Sequence, residues 1–111
     1  MIDNEVRGMQ QRSFAQASGF SDSEYEILMD IALRMTDRAI SDRRHLSLRS
    51  VQNRLQQIYS MLEVLQASAP PNVAAFNLRA RAVTVAMLRK LLNYGALEKA
   101  EAELQHWLRG H

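Results

Sequence analysis

The chain is expected to be all-α, a compact domain of three or four short helices with an extended fourth helix and a further helix at the C-terminus. Three observations predict this. Apolar residues recur at helical spacing over most of the chain. Three successive helix starts are each opened by a hydroxyl residue, Ser21, Thr36 and Ser47, with only a few residues between one helix and the next. No stretch alternates apolar and polar residues at period two.

With 111 residues, 47% of them apolar, there is material for one domain and its core. The absence of cysteine excludes disulfides and thiolate metal sites. No run of about 18 uncharged apolar residues is present, and Asp3 and Glu5 make a poor secretory start. A cytoplasmic protein with no membrane partner is expected. The net charge of +2 hides an asymmetry: residues 1–33 sum to −4, residues 34–92 to +7 and residues 93–111 to −1. Such a basic middle suits a phosphate-bearing partner, although a solvated basic surface has the same composition.

Residues 1–19 are weakly patterned, broken by Gly8, Ser13, Ser18 and Gly19, and read as an arm or linker. The first firm helix starts at Ser21, where Glu24 completes a capping box and Phe20 and Tyr25 hold the two positions of a hydrophobic staple. Asp22, Glu24 and Glu26 suit the positive end of that helix, a simpler reading than catalysis. Ile27, Leu28, Ile31, Ala32 and Met35 form its buried face, which carries it to about Arg34 or Met35. Thr36 caps a second helix with Ala39 and Ile40 inward and Arg38, Asp42 and Arg43 outward, ending by His45. Leu46 anchors the turn, and Ser47 caps the third helix.

That third helix has two unlike faces. Val51, Leu55, Ile58 and Leu62 make one apolar stripe, whereas Gln52, Asn53, Gln56, Gln57 and Ser60 point elsewhere and carry no charge. A solvated face more commonly holds Glu and Lys. Amides that both donate and accept suit base edges in the major groove, adenine above all. Helix, tight turn and amide-bearing helix make a helix-turn-helix signature, and arginines surround it.

The run Phe20 to Leu28, then Ile31-Ala32, Thr36 to Ile40, Leu46-Ser47, Ser50-Val51 and Ile58 to Leu62 resembles the LuxR-type (GerE-like) helix-turn-helix, closely over residues 20–64 and loosely over 77–95. The resemblance implies a four-helix DNA-binding output domain, usually dimeric, often the last domain of a response regulator or an autoinducer receptor. It implies base contacts by Gln52, Asn53 and Gln56, and phosphate contacts by Thr36, Ser47, Arg49, Ser50 and Arg54. Arg38, Arg43 and Arg44 are expected to form an outer ring toward flanking phosphates. The sequence departs from the family at Arg34, where glycine is common in the turn, at Arg44, a usual apolar core position, at Ala39, where Glu is common, and at Gln52, a frequent lysine.

Residues 65–72, with Pro70-Pro71, read as a linker. A long fourth helix is expected from about Val73 to Asn93, stopped near Gly95, with one stripe of Phe76, Ala80, Val83, Met87 and Leu91. Its second stripe, Leu78, Ala82, Val85, Leu88 and Leu92, is more than a small core needs, so it is expected to pair two copies with help from Trp107. Residues 96–109 form a last amphipathic helix with Leu97, Ala100, Leu104, Trp107 and Leu108 on one side. The domain is expected to span 20–95, with 96–111 as an extension.

No enzyme inventory is present: His45, His106 and His111 are far apart, and no metal-ligand spacing, Gly-rich loop or nucleophile set is suggested. No cofactor or metal is expected. The expected partners are double-stranded DNA, a second copy of the chain, and RNA polymerase or another regulator. The rival reading is an interaction module of the same fold that no longer binds DNA.

Overall fold

The computed structural model describes residues 15–65 and 77–110. They include the helices α1 (Asp22–Ala32), α2 (Asp37–Arg44), α3 (Leu48–Met61), α4 (Leu78–Leu88) and α5 (Tyr94–Arg109), residues 15–17 are helical as well, and no strand occurs among the described residues. None of these helices is long and apolar enough to cross a membrane. Most of the expected arm (residues 1–14), the Pro70-Pro71 linker and the expected start of the fourth helix lie outside the described residues.

The helix starts follow the hydroxyl and amide caps. Ser21 accepts from the Glu24 amide at 3.1 Å while Glu24 Oε1 accepts from the Ser21 amide at 3.0 Å, a complete capping box. Thr36 Oγ1 accepts from Ala39 N and Ser47 Oγ from Ser50 N, opening α2 and α3. Asn77 and Asn93 do the same for α4 and α5. The fourth helix is therefore opened by Asn77, later than its apolar pattern suggested.

The helix ends follow a rule that the sequence does not advertise. Arg34, His45, Glu63 and Lys90, none of them glycine, take left-handed backbone with φ of 69°, 55°, 57° and 62°. Each stands at the end of one of α1 to α4, and the next amide bonds back into the last turn, as Met35 N to Asp30 O and Leu91 N to Ala86 O do. Lys90 thus ends α4 at Leu88, short of the expected Asn93. Gly95, expected as the stop, lies buried inside the first turn of α5. The boundary expected after Gly95 accordingly falls within one continuous helix.

The core lies around α3. Val51, Leu55, Ile58 and Leu62 are all buried, as their spacing predicts, against Ile27, Leu28 and Ile31 of α1 and Ile40 of α2. Phe20, Tyr25 and Ala15 join the same cluster, so the last residues of the expected arm belong to the body. From α5 come Ala96, Ala100 and Leu104, which makes that helix part of the same core. Arginines fasten α4 at both ends. Arg79 pairs with Asp37 and donates to Met35 O, and Arg89 donates to Met61 O and Leu62 O.

The stripe expected to pair two copies is placed mostly against the chain's own core. On α4, Ala82 is buried and Leu78 and Val85 are half-buried against the core, because the face that carries them turns toward the molecule's own interior, and Leu92 is buried beyond the end of the helix. Only Leu88 of that stripe stands out, 73% exposed. Trp107 is half-buried, with the Arg43 guanidinium 5.8 Å from its ring centroid, a cation–π contact inside the molecule.

Among the described residues, Asp30 is the buried charged residue. Asp30 is fully buried on α1 and receives Arg43 Nη1 at 3.1 Å, Arg44 Nε at 2.8 Å and Arg44 Nη2 at 2.9 Å. Arg44 also reaches Glu26 at 3.5 Å. Burial works against the charged Arg44, but the hydrogen bond and charge of Asp30, with Glu26 and Glu103 adding, more than offset it and raise its pKa. Removing one partner of such a pair leaves the other charges buried and uncompensated. Asp30→Asn is therefore expected to cost about 3–5 kcal/mol in urea unfolding, against less than about 0.5 kcal/mol for Arg38→Ala on the exposed side of α2. Equal losses would show that the buried cluster does not hold α2. A second prediction concerns the left-handed ends: Arg34→Gly should stabilise by about 1 kcal/mol, read as a raised Tm, since glycine adopts this conformation without a Cβ penalty.

Candidate nucleic-acid interface

The apolar stripe of α3 fixes what its other face can do. With Val51, Leu55 and Ile58 buried, Gln52, Asn53, Gln56, Gln57 and Ser60 are all exposed. The three expected base-reading amides thus share one outward face. The residues between α2 and α3 are only His45, Leu46 and Ser47, so the C-terminal end of α2 and the N-terminal end of α3 are held by a short, closed turn. Ser41 closes this turn, its carbonyl accepting from Leu46 N at 3.0 Å and its hydroxyl donating to Leu46 O.

Around the amides, Thr36, Arg38, Ser47 and Arg49 are exposed and Ser50 and Arg54 are half-buried. Thr36 and Ser47 already accept a backbone N–H, yet each hydroxyl keeps its own O–H to donate to a phosphate oxygen. Arg38 and Arg49 make no side-chain hydrogen bond or ion pair with a described residue. Arg54 differs, because its Nε is buried without a partner among the described residues.

Arg43 and Arg44, expected in the outer ring, both turn inward to Asp30. The cause is electrostatic, since a buried carboxylate binds guanidinium forks more tightly than solvent-exposed positions on the same helix can. Sequence reasoning missed Asp30 itself. A signal was present: Asp30 lies three residues from Ile27, on a buried face, while Arg44 occupies an apolar position of the resembled pattern on the neighbouring helix. Two opposite misfits on packed helices are the mark of a buried pair.

A shallow cleft of ≈ 390 Å³ runs beside the amides, lined by Asp37, Gln52, Asn53, Leu55, Gln56 and Tyr59. Asp37 is neutralised there by Arg79, so it does not leave an open negative charge next to the amide row. Among the described residues no group of three or more His, Asp or Glu side chains is placed to hold a metal ion. This face offers amide and hydroxyl hydrogen-bonding groups together with positive charge.

Tyr59 lies under the cleft, and burial raises its pKa above the ordinary 10.0, with Arg79 opposing and Asp37 adding. A folded-state value above the unfolded one means stability that is complete below about pH 10 and falls as pH rises through the folded value. Tyr59→Phe should remove that share of the loss. The difference in unfolding free energy between variant and parent should move in favour of the variant from pH 9 to 11 on the scale of the unfolded tyrosine. A difference constant over that range would contradict a buried neutral phenol.

No protein-family model, curated protein or solved structure matches this chain.

Proposed function

We propose that this protein binds double-stranded DNA sequence-specifically, with α3 in the major groove and α2 across the backbone. The observation that carries the reading is the outward, uncharged row of Gln52, Asn53 and Gln56 on a helix whose reverse side is buried. Amides of this kind read adenine in two-bond fashion, and each good contact is worth roughly 1–3 kcal/mol of discrimination. Arg49, Arg38 and Arg54, with the hydroxyls of Thr36, Ser47 and Ser50, supply position and salt-dependent affinity. Arg44 takes no part, being held by Asp30.

The LuxR-type resemblance over residues 20–64 supports the same reading, and the order of α1 to α4, with α2 and α3 joined through three residues, is compatible with it. A regulator of transcription, acting through RNA polymerase or another regulator, is the corresponding role. The withdrawal of Arg43 and Arg44 from the surface favours one rival, an interaction module that keeps the fold and contacts a protein instead.

The test starts with selection of a preferred duplex from random sequences. Gln52→Ala should then lower the preference for selected over scrambled duplex by about tenfold, with little change on scrambled DNA. Arg49→Ala should weaken both duplexes alike and reduce the salt slope by about 1. Identical behaviour of the two variants on both duplexes would contradict the division of labour, and failure to select any duplex would favour the interaction module.

A further inference from the structure

A second cleft lies beside the amide face. It has a volume of ≈ 670 Å³ and lies between α4 and the N-terminal ends of α2 and α3, within the roughly 300–1,000 Å³ typical of small-molecule sites. Its floor is apolar, with Ala32, Leu48, Ala80 and Val83. Its rim carries Arg34, Arg38, Thr36 and Gln52. The Arg34 and Arg38 side chains are exposed and make no hydrogen bond or ion pair with a described residue. The one carboxylate of the lining, Asp37, is neutralised by Arg79. Arg38 is the better anchor of the two, because Arg34 also borders a second groove with Glu98 and Glu101 of α5.

We infer that this cleft binds a small amphiphilic anion, an acidic head group on an apolar body, and that its occupation excludes DNA. The head group pairs with Arg38 and Arg34, and the apolar body covers Leu48, Ala80 and Val83, gaining from burial that a phosphate backbone cannot supply. Thr36, Arg38 and Gln52 wall this cleft and are also proposed to contact DNA, so one molecule cannot serve both. The exclusion rests on the DNA-binding reading; the binding site itself does not.

The experiment uses the full chain and two probes, anilinonaphthalene sulfonate followed by fluorescence and decanoate as its competitor. Saturable binding of the dye, displaced by decanoate but not by decyltrimethylammonium, is expected. Ala80→Glu should weaken dye binding by about tenfold by setting a carboxylate against the head group, and Val83→Trp should do so by filling the floor. Leu88→Ser, on the exposed apolar end of α4, should leave it unchanged. Circular dichroism checks that all three variants fold. Decanoate should also release selected duplex from the parent but not from Val83→Trp. Dye binding that survives both cleft variants, or that is lost in Leu88→Ser, would overturn the site. Cleft-specific binding with no competition against bound duplex would overturn the exclusion alone, and cleft-specific binding by a chain that holds no duplex at all would overturn the DNA reading and leave the site standing.

Discussion

Asp30 is the constraint on which the arrangement turns. A carboxylate with no access to water has to be met by cations, and both nearby arginines come from the last turn of α2. That requirement fixes where α2 ends relative to α1, and the three residues after it fix where α3 begins. Hydrophobic burial alone tolerates sliding and repacking between helices. A fork of directed hydrogen bonds at 2.8–3.1 Å does not. The Trp107 ring against Arg43 brings α5 into the same cluster, so the C-terminal helix helps to shield the charge.

The cluster also decides which charges remain outside. Arg43 and Arg44 are spent in the interior, while Arg34, Arg38 and Arg49 stay exposed beside the amide face of α3. The result is a surface with moderate positive charge and an unusual share of amides. Such a surface favours hydrogen-bond selection over general electrostatic attraction. The α4 helix, strapped by Arg79 to the start of α2 and by Arg89 to the end of α3, encloses the apolar cleft beside that surface. Structural charge, amide face and cleft are thus linked through the position of one short helix.

What could be read from the sequence is what local chemistry specifies. Ser21, Thr36 and Ser47 cap helices because their oxygens reach an amide three residues on, and Val51, Leu55, Ile58 and Leu62 share a face because helical geometry puts them there. The outward placement of Gln52, Asn53 and Gln56 follows from that same geometry. Features set by tertiary partners were not legible. The inward turn of Arg44 depends on Asp30, fourteen residues away, and the inward face of α4 depends on how two arginines hold it. Gly95 looked like a helix end, whereas Lys90 adopts the left-handed conformation that glycine usually supplies. Nothing local marks a lysine for that role.

The most direct measurement is the salt dependence of binding to a duplex of arbitrary sequence, followed by anisotropy. With Arg38, Arg49 and Arg54 each neutralising a phosphate, log affinity should fall against log salt with a slope of about −3 per protomer. A flat dependence, or no binding even at the lowest salt, would contradict the assignment of this face to DNA.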